Sequence, residues 1–189
     1  APETPVVEEA EPAPEPTPAT ESFRSLVTLG LAVGVSSPTH TGVDARFTGG
    51  GELDFRWNRT GPWSLGGYVY SARGEGYTSR FGKFEFNYLL YGLRGRFHWA
   101  WREDRDFFVG IMGGYTTLDV RDLTRPKNDF RPFHTGLTIG YDWYLARGVA
   151  LGFEGQVIGV TVDQDKNSSD QSDPFAVFNL FATLHLGTL

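Results

Sequence analysis

The sequence predicts an all-β fold: a closed up-and-down antiparallel eight-stranded transmembrane barrel over residues 23–189, preceded by a disordered N-terminal arm over residues 1–22. Three observations predict it. From Phe23 onward large apolar residues alternate with small or polar ones at a period of two, the pattern of half-buried strands. The connections between the alternating runs are long and short in turn, and all five tryptophans lie beside the short ones. Helix-period patterns are absent, and no apolar stretch nears the roughly 18 residues of a membrane helix.

The arm comes first. Residues 1–22 contain six prolines and six glutamates, and no Lys, Arg or Asp. Taking those six from the 23 acidic residues of the chain leaves 17 against 17 basic ones, so the net charge of −6 belongs to the arm and the remainder is neutral. Such a segment buries too little apolar surface to offset its ordering entropy. At roughly 3.1 Å per residue it reaches about 70 Å when extended. It has neither the basic start nor the apolar middle of a signal peptide, and a chain opening at Ala1 is expected to follow removal of one. With no surplus of positive charge beyond the arm, nucleic-acid binding is not expected. The absence of cysteine excludes disulfides, thiolate metal sites and a cysteine nucleophile.

Eight runs follow. In the first, Val27, Leu29, Leu31, Val33 and Val35 oppose Thr28, Gly30, Ala32 and Gly34; in the second, Leu53, Phe55 and Trp57 oppose Glu52, Asp54 and Arg56. The third sets Trp63, Leu65 and Val69 against Ser64, Gly66, Tyr68 and Tyr70. The fourth, Phe84 to Trp99, sets Leu89, Tyr91, Leu93, Phe97 and Trp99 against Arg94, Arg96 and His98. The fifth sets Phe107, Val109, Ile111 and Tyr115 against Gly110, Met112, Gly114 and Thr116. The sixth sets Leu137, Ile139, Tyr141 and Trp143 against His134, Gly136, Thr138, Gly140 and Asp142. The seventh sets Val149, Leu151, Phe153 and Val157 against Glu154 and Gln156; the eighth sets Phe178, Leu180, Ala182, Leu184 and Leu186 against Asn179, Thr183 and His185.

Alternation alone does not say which face is enclosed. Eight strands close around a space just wide enough for side chains. Eight rows of Leu, Phe, Val and Trp would overfill it, whereas glycines and small polar residues suit it. The apolar face is therefore expected to point outward, into lipid. Connections near 36–46, 72–83, 121–132 and 163–174 are read as long, and those at 58–62, 101–105 and 146–148 as short. Trp57, Trp63, Trp99, Trp101 and Trp143, all beside short turns, form half of an aromatic girdle at a membrane interface. Tyr70, Tyr88 and Tyr115 are expected to supply part of the other half.

On these features residues 23–189 resemble the small eight-stranded outer-membrane barrels of the OmpA and OmpX type. The last run, Phe178 to Leu186, is similar to the C-terminal signal read by the barrel assembly machinery, although the chain closes with Leu189 where that family usually closes with Phe or Trp. The resemblance implies a bacterial outer-membrane location, both termini in the periplasm, and lipid and lipopolysaccharide as surroundings. It carries no active-site motif.

Counting up from the short turns places Glu52, Asp54, Arg94, Arg96 and Glu154 in one inward layer, with Arg56, His98 and Asp142 just below. Enclosed charges must pair or cost several kcal/mol each. The expectation is a salt-bridge network of Glu52, Asp54, Arg56, Arg94, Arg96 and Glu154 that plugs the lumen; a catalytic carboxylate pair is disfavoured because the arginines hold the acids ionised. Lipid-A-modifying barrels use His with Ser, so His40 with Ser36, Ser37 and Asp44, or His134, are the enzyme candidates. Phe133-His134-Thr135-Gly136 departs from the His-x-Ser-Asn pattern of the deacylases. Asp163-x-Asp165-x-Asn167 lacks the glycine and the closing glutamate of a calcium loop, with Ser168 and Pro174 in their places. Arg121, Arg125, Lys127 and Arg131, against Asp122 and Asp129, could meet lipopolysaccharide phosphates or, equally, pair with the acidic loop beside them. No enzymatic activity, cofactor or metal is expected. The reading is a membrane anchor or interaction module whose arm spaces or binds a periplasmic protein; a narrow pore is the alternative, and a soluble lipocalin-like carrier a third.

Overall fold

The structure, a computed structural model, describes residues 24–38, 46–78, 82–122, 128–130, 132–161 and 175–187. Residues 1–22, His40, Asp44, Arg125, Lys127, Arg131 and the acidic segment 163–173 lie outside the described residues. Nine strands occur among the described residues: β1 (Val27–Pro38), β2 (Arg46–Arg56), β3 (Trp63–Thr78), β4 (Gly82–Arg102), β5 (Arg105–Asp122), β6 (Asn128–Phe130), β7 (Phe133–Ala146), β8 (Val149–Thr161) and β9 (Phe175–Gly187). Every pairing between them is antiparallel.

Eight long strands form a ring in the order β1-β2-β3-β4-β5-β7-β8-β9, and β9 returns to β1 from Thr28↔Gly187 to Pro38↔Val177. Closure pairs both backbone edges of every ring strand, the condition for crossing hydrocarbon. The shortest ring strand, β2, has 11 residues, enough to span a bilayer at a tilt. β6 is a three-residue addition on β5 beyond the part that β7 covers, at Leu118–Val120.

The faces divide as the alternation predicts. Leu29, Leu31, Val33, Leu53, Phe55, Leu93, Ile111, Leu137, Ile139, Phe153 and Leu180 are exposed on the outside of the ring, while Glu52, Arg94, Arg96, Asp106, His134 and Glu154 are buried within it. An apolar outer belt around a charged interior is the inverse of a water-soluble barrel and suits lipid.

Two expectations about the far end are corrected. The connection read as long at 72–83 is mostly strand: β3 and β4 stay paired up to Thr78↔Gly82. Arg121 and Asp122 likewise end β5 and Asp129 lies in β6. Tyr70 and Tyr88 are not girdle residues. Both are buried inside the ring, whereas Tyr115 is exposed and meets Tyr91 and Phe133 on the outer face, with ring centroids 6.3 and 5.8 Å apart.

The interior is also less uniformly small than expected. Tyr68, Tyr70, Leu90, Phe108, Met112, Ile158 and Phe181 fill it, and glycines facing them make the room. Phe108 shows the trade: a Cβ on Gly140 would lie 2.2 Å from Phe108 Cζ. Gly140→Ala is expected to cost about 1–3 kcal/mol by overpacking, measured as a fall in thermal midpoint in detergent, and Phe108→Leu in the same chain should recover part of it. At the β7–β8 turn Gly148 has φ of 74°, a left-handed conformation that a glycine adopts without a Cβ clash.

Candidate functional site in the barrel lumen

The ring encloses a lumen, and strand parity determines which side chains enter it. β2 contributes Glu52, Asp54 and Arg56, and β4 contributes Arg94, Arg96 and His98. β3 lies between them, and its inward Gly66 stands beside Asp54 in register with Arg94. A Cβ there would meet Asp54 Oδ1 at 2.1 Å. The glycine lets the carboxylate and the guanidinium meet across an intervening strand.

The structure brings Glu52, Asp54, Arg94, Arg96 and Glu154 into one cluster. Arg94 donates to Asp54 Oδ1 through Nε at 3.2 Å and pairs with Glu52. Arg96 reaches Asp54 Oδ2 at 3.1 Å and Glu52 Oε2 at 3.2 Å, and it pairs with Glu154. Its guanidinium also lies 4.2 Å over the Phe108 ring. Glu154 Oε1 accepts from Thr138 Oγ1 at 2.6 Å and Gln156 Nε2 at 2.8 Å. Tyr70 caps the layer, donating to Glu52 Oε2 at 3.0 Å and accepting from Arg94 Nη1 at 2.9 Å.

Arg56 does not join this cluster. It belongs to a lower one nearer the short turns, donating to Asp106 Oδ2 at 3.2 Å. Asp106 also receives both Arg24 Nε contacts at 2.9 Å and the Tyr144 hydroxyl at 3.1 Å. Asp142, placed beside Arg56 by counting, instead faces His185, whose Nδ1 lies 3.2 Å from Asp142 Oδ1 while Nε2 lies 2.8 Å from Glu52 Oε1. Sequence reasoning did not single out Arg24, Asp106 or Tyr144 and left His185 without a role. The signal available was parity: Asp106 begins an inward row that continues through Phe108, Gly110 and Met112.

The charges close on themselves. Among the described residues the buried ionised side chains are Arg24, Arg56, Arg94 and Arg96 against Glu52, Asp54, Asp106, Asp142 and Glu154. His185 with both nitrogens facing carboxylates is an imidazolium, and with it the positive and negative charges balance. Neutrality with close contacts is what lets ions persist in an enclosed space.

Above these layers, toward the long loops, the interior turns aromatic and then apolar. Tyr70 stacks on Phe181 with centroids 4.7 Å apart and on Tyr68 at 5.4 Å. Leu90, Met112, Ile158, Val160 and Val177 complete the packing. His134, an enzyme candidate, is fully buried there, with Thr116 Oγ1 at 2.9 Å on Nδ1 and the Tyr68 hydroxyl on Nε2. Ser36 bonds the Tyr88 hydroxyl. Ser64 and His98 do form a serine–histidine pair near a carboxylate, 2.8 Å apart, with Asp106 3.8 Å from His98 Nδ1. It is not a nucleophile and base. Arg56 donates to Nδ1 at 2.9 Å, and an arginine can only donate, so Nε2 carries the proton and donates to Ser64. Among the described residues no group of His, Asp and Glu is arranged to hold a metal.

Trp57, Trp63, Trp99 and Trp143 are exposed on the outer face at the short-turn end, and the side chain of Trp101 lies outside the described residues. Phe55 and Phe97 pack edge-on against Trp57 and Trp63, at 5.9 and 4.9 Å.

No protein-family model and no curated protein matches the sequence. Solved structures do match in fold. Neisserial surface protein A aligns over 86% of this chain and 96% of its own, at 15% identity and a TM-score of 0.59. Ail, the attachment invasion locus protein of Yersinia pestis, solved with the heparin analogue sucrose octasulfate, aligns over 86% and 98% at 11% identity and a TM-score of 0.52. The outer membrane protein OprG from Pseudomonas aeruginosa aligns over 89% and 98% at 9% identity and a TM-score of 0.52. Identities this low speak to architecture, and by architecture this chain is a small eight-stranded barrel of the outer-membrane type.

Proposed function

We propose that the protein is a closed-lumen outer-membrane barrel that serves as an anchor or interaction module, with both termini in the periplasm. The observation that carries this reading is the filling of the lumen: two ion-paired layers and an aromatic layer follow one another along its axis. Ions entering such a path would have to displace neutralised, hydrogen-bonded charges, at a cost of several kcal/mol each. The apolar outer belt and the tryptophans at one rim support insertion in a bilayer, with lipid and lipopolysaccharide as surroundings and the barrel assembly machinery as the route in. The role of residues 1–22 in this reading is to hold the barrel near a periplasmic protein or to bind one, their six glutamates favouring a basic partner surface.

The test is electrical. Purified protein in planar bilayers is expected to give no discrete conductance steps above the bare-membrane baseline. Reproducible unitary steps that scale with salt concentration would overturn the closed lumen and favour the narrow pore.

A further inference from the structure

Residues 24 and 25 turn into the barrel rather than along its outer wall. Arg24 and Ser25 precede β1, yet both are buried. Arg24 reaches Asp106 on β5, with Nη2 2.7 Å from Oδ1, and also donates to the Arg102 carbonyl at 3.4 Å. β5 stands four strands from β1 in either direction around the ring, so Arg24 meets the wall opposite the strand it precedes. The strap is seated at its other points as well. The Leu26 carbonyl accepts from Arg56 N at 2.7 Å, and Ser25 Oγ occupies the place where a Cβ on Gly187 would fall, 2.0 Å from it. Beside it lies a partly open cavity of about 30 Å³ whose lining includes Ser25, Thr28, Ser64, His98, Asp142 and His185. It is polar and has room for roughly two waters, a piece of lumen below the ion-paired layer that is not filled by protein.

We propose that residues 24–26 are a detachable strap: Arg24 docks on Asp106, which Arg56 and the Tyr144 hydroxyl hold from the other side, narrows the short-turn mouth, and links the arm mechanically to the lower lumen. This deepens the closed-lumen reading and rests on it, since a strap matters only to a barrel whose other layers are shut. Asp106 keeps hydrogen bonds from Arg56 and the Tyr144 hydroxyl when Arg24 withdraws, while the lumen is left one positive charge short, which makes the docked strap the resting state. Pull on the arm by a bound partner is transmitted to Arg24 because only Phe23 separates the arm from it.

The absence of cysteine permits a clean test in the full-length chain. Ser64→Cys places a thiol on the cavity and Ser36→Cys one in the lumen at the opposite end. Alkylation by iodoacetamide is followed by mass in folded, detergent-solubilised protein. With Arg24 present Cys at 64 should react slowly; Arg24→Ala should accelerate it at least tenfold while Cys at 36 stays unchanged. Equal rates at 64 with and without Arg24 would overturn the strap, and so would a matching acceleration at 36, which reports general loosening. Arg24→Gln guards against a folding defect: accelerated labelling in a folded Arg24→Gln chain supports the strap, and failure of both variants to fold makes Arg24 a structural ion pair and overturns it. Conductance of the wild-type chain, by contrast, bears on the closed-lumen reading and leaves the labelling result to be read separately.

Discussion

Replacing Arg94 and Arg96 together by alanine is expected to cost roughly 3–5 kcal/mol or prevent folding outright, the range for breaking buried ion pairs by removing one side. Glu52, Asp54 and Glu154 would be left enclosed with His185 as their nearest cation, since Arg94 and Arg96 supply their other positive partners. For a domain of this size the loss corresponds to a fall of about 6–20 °C in Tm, read by the heat-dependent mobility shift of the barrel in detergent gels. The same two substitutions combined with Glu52→Gln, Asp54→Asn and Glu154→Gln should recover much of the loss, because no uncompensated charge then remains. An unchanged Tm in the double variant would mean that the cluster is hydrated and contributes nothing.

Ile111→Arg is expected to destabilise the bilayer-inserted barrel by about 2–4 kcal/mol, the midplane cost of a lipid-facing arginine. Ile111 is 67% exposed, near the middle of β5 on the outer face. In a water-soluble barrel an exposed position of this kind would accept arginine within about 0.5 kcal/mol. The size of the effect therefore reports the solvent. Folding yield into lipid vesicles across a urea series measures it, and Thr135→Arg, exposed near the long-loop end of β7, serves as a comparison where the cost should fall to about 0–1 kcal/mol. Indifference at Ile111 would sink the membrane reading.

The residues behind these two effects are not equally legible in the sequence. The outward position of Ile111 follows from parity alone, because successive side chains on a strand point to opposite faces. The meeting of Arg94 with Asp54 is within reach of counting, since both stand at similar heights above short turns. Counting also puts Arg56 just below that layer, where it lies, but its inclusion in the same salt-bridge network is wrong. Neighbouring strands in a closed ring are tilted and staggered, so equal distance from a turn is not equal height across the lumen, and Arg56 meets Asp106 instead. Tyr70 and Tyr88 mislead for a related reason: tyrosine near a strand end suits both a membrane interface and a lumen, and parity, which puts Tyr70 inside, is outweighed by its position. The reach of Arg24 to Asp106 leaves no local trace, being a contact between residues 82 apart.

By itself the sequence determined the eight strands of the ring, the division into an apolar and a polar face, and the end of the barrel at which the tryptophans gather. Each follows from a period of two and the preferences of single side chains. Only the tertiary structure decided the pairs within the lumen, the glycines that admit them and the path of residues 24–26 across the mouth. The physical reason is that faces are a property of one strand, whereas partners across a barrel are set by the tilt and stagger at which eight strands close.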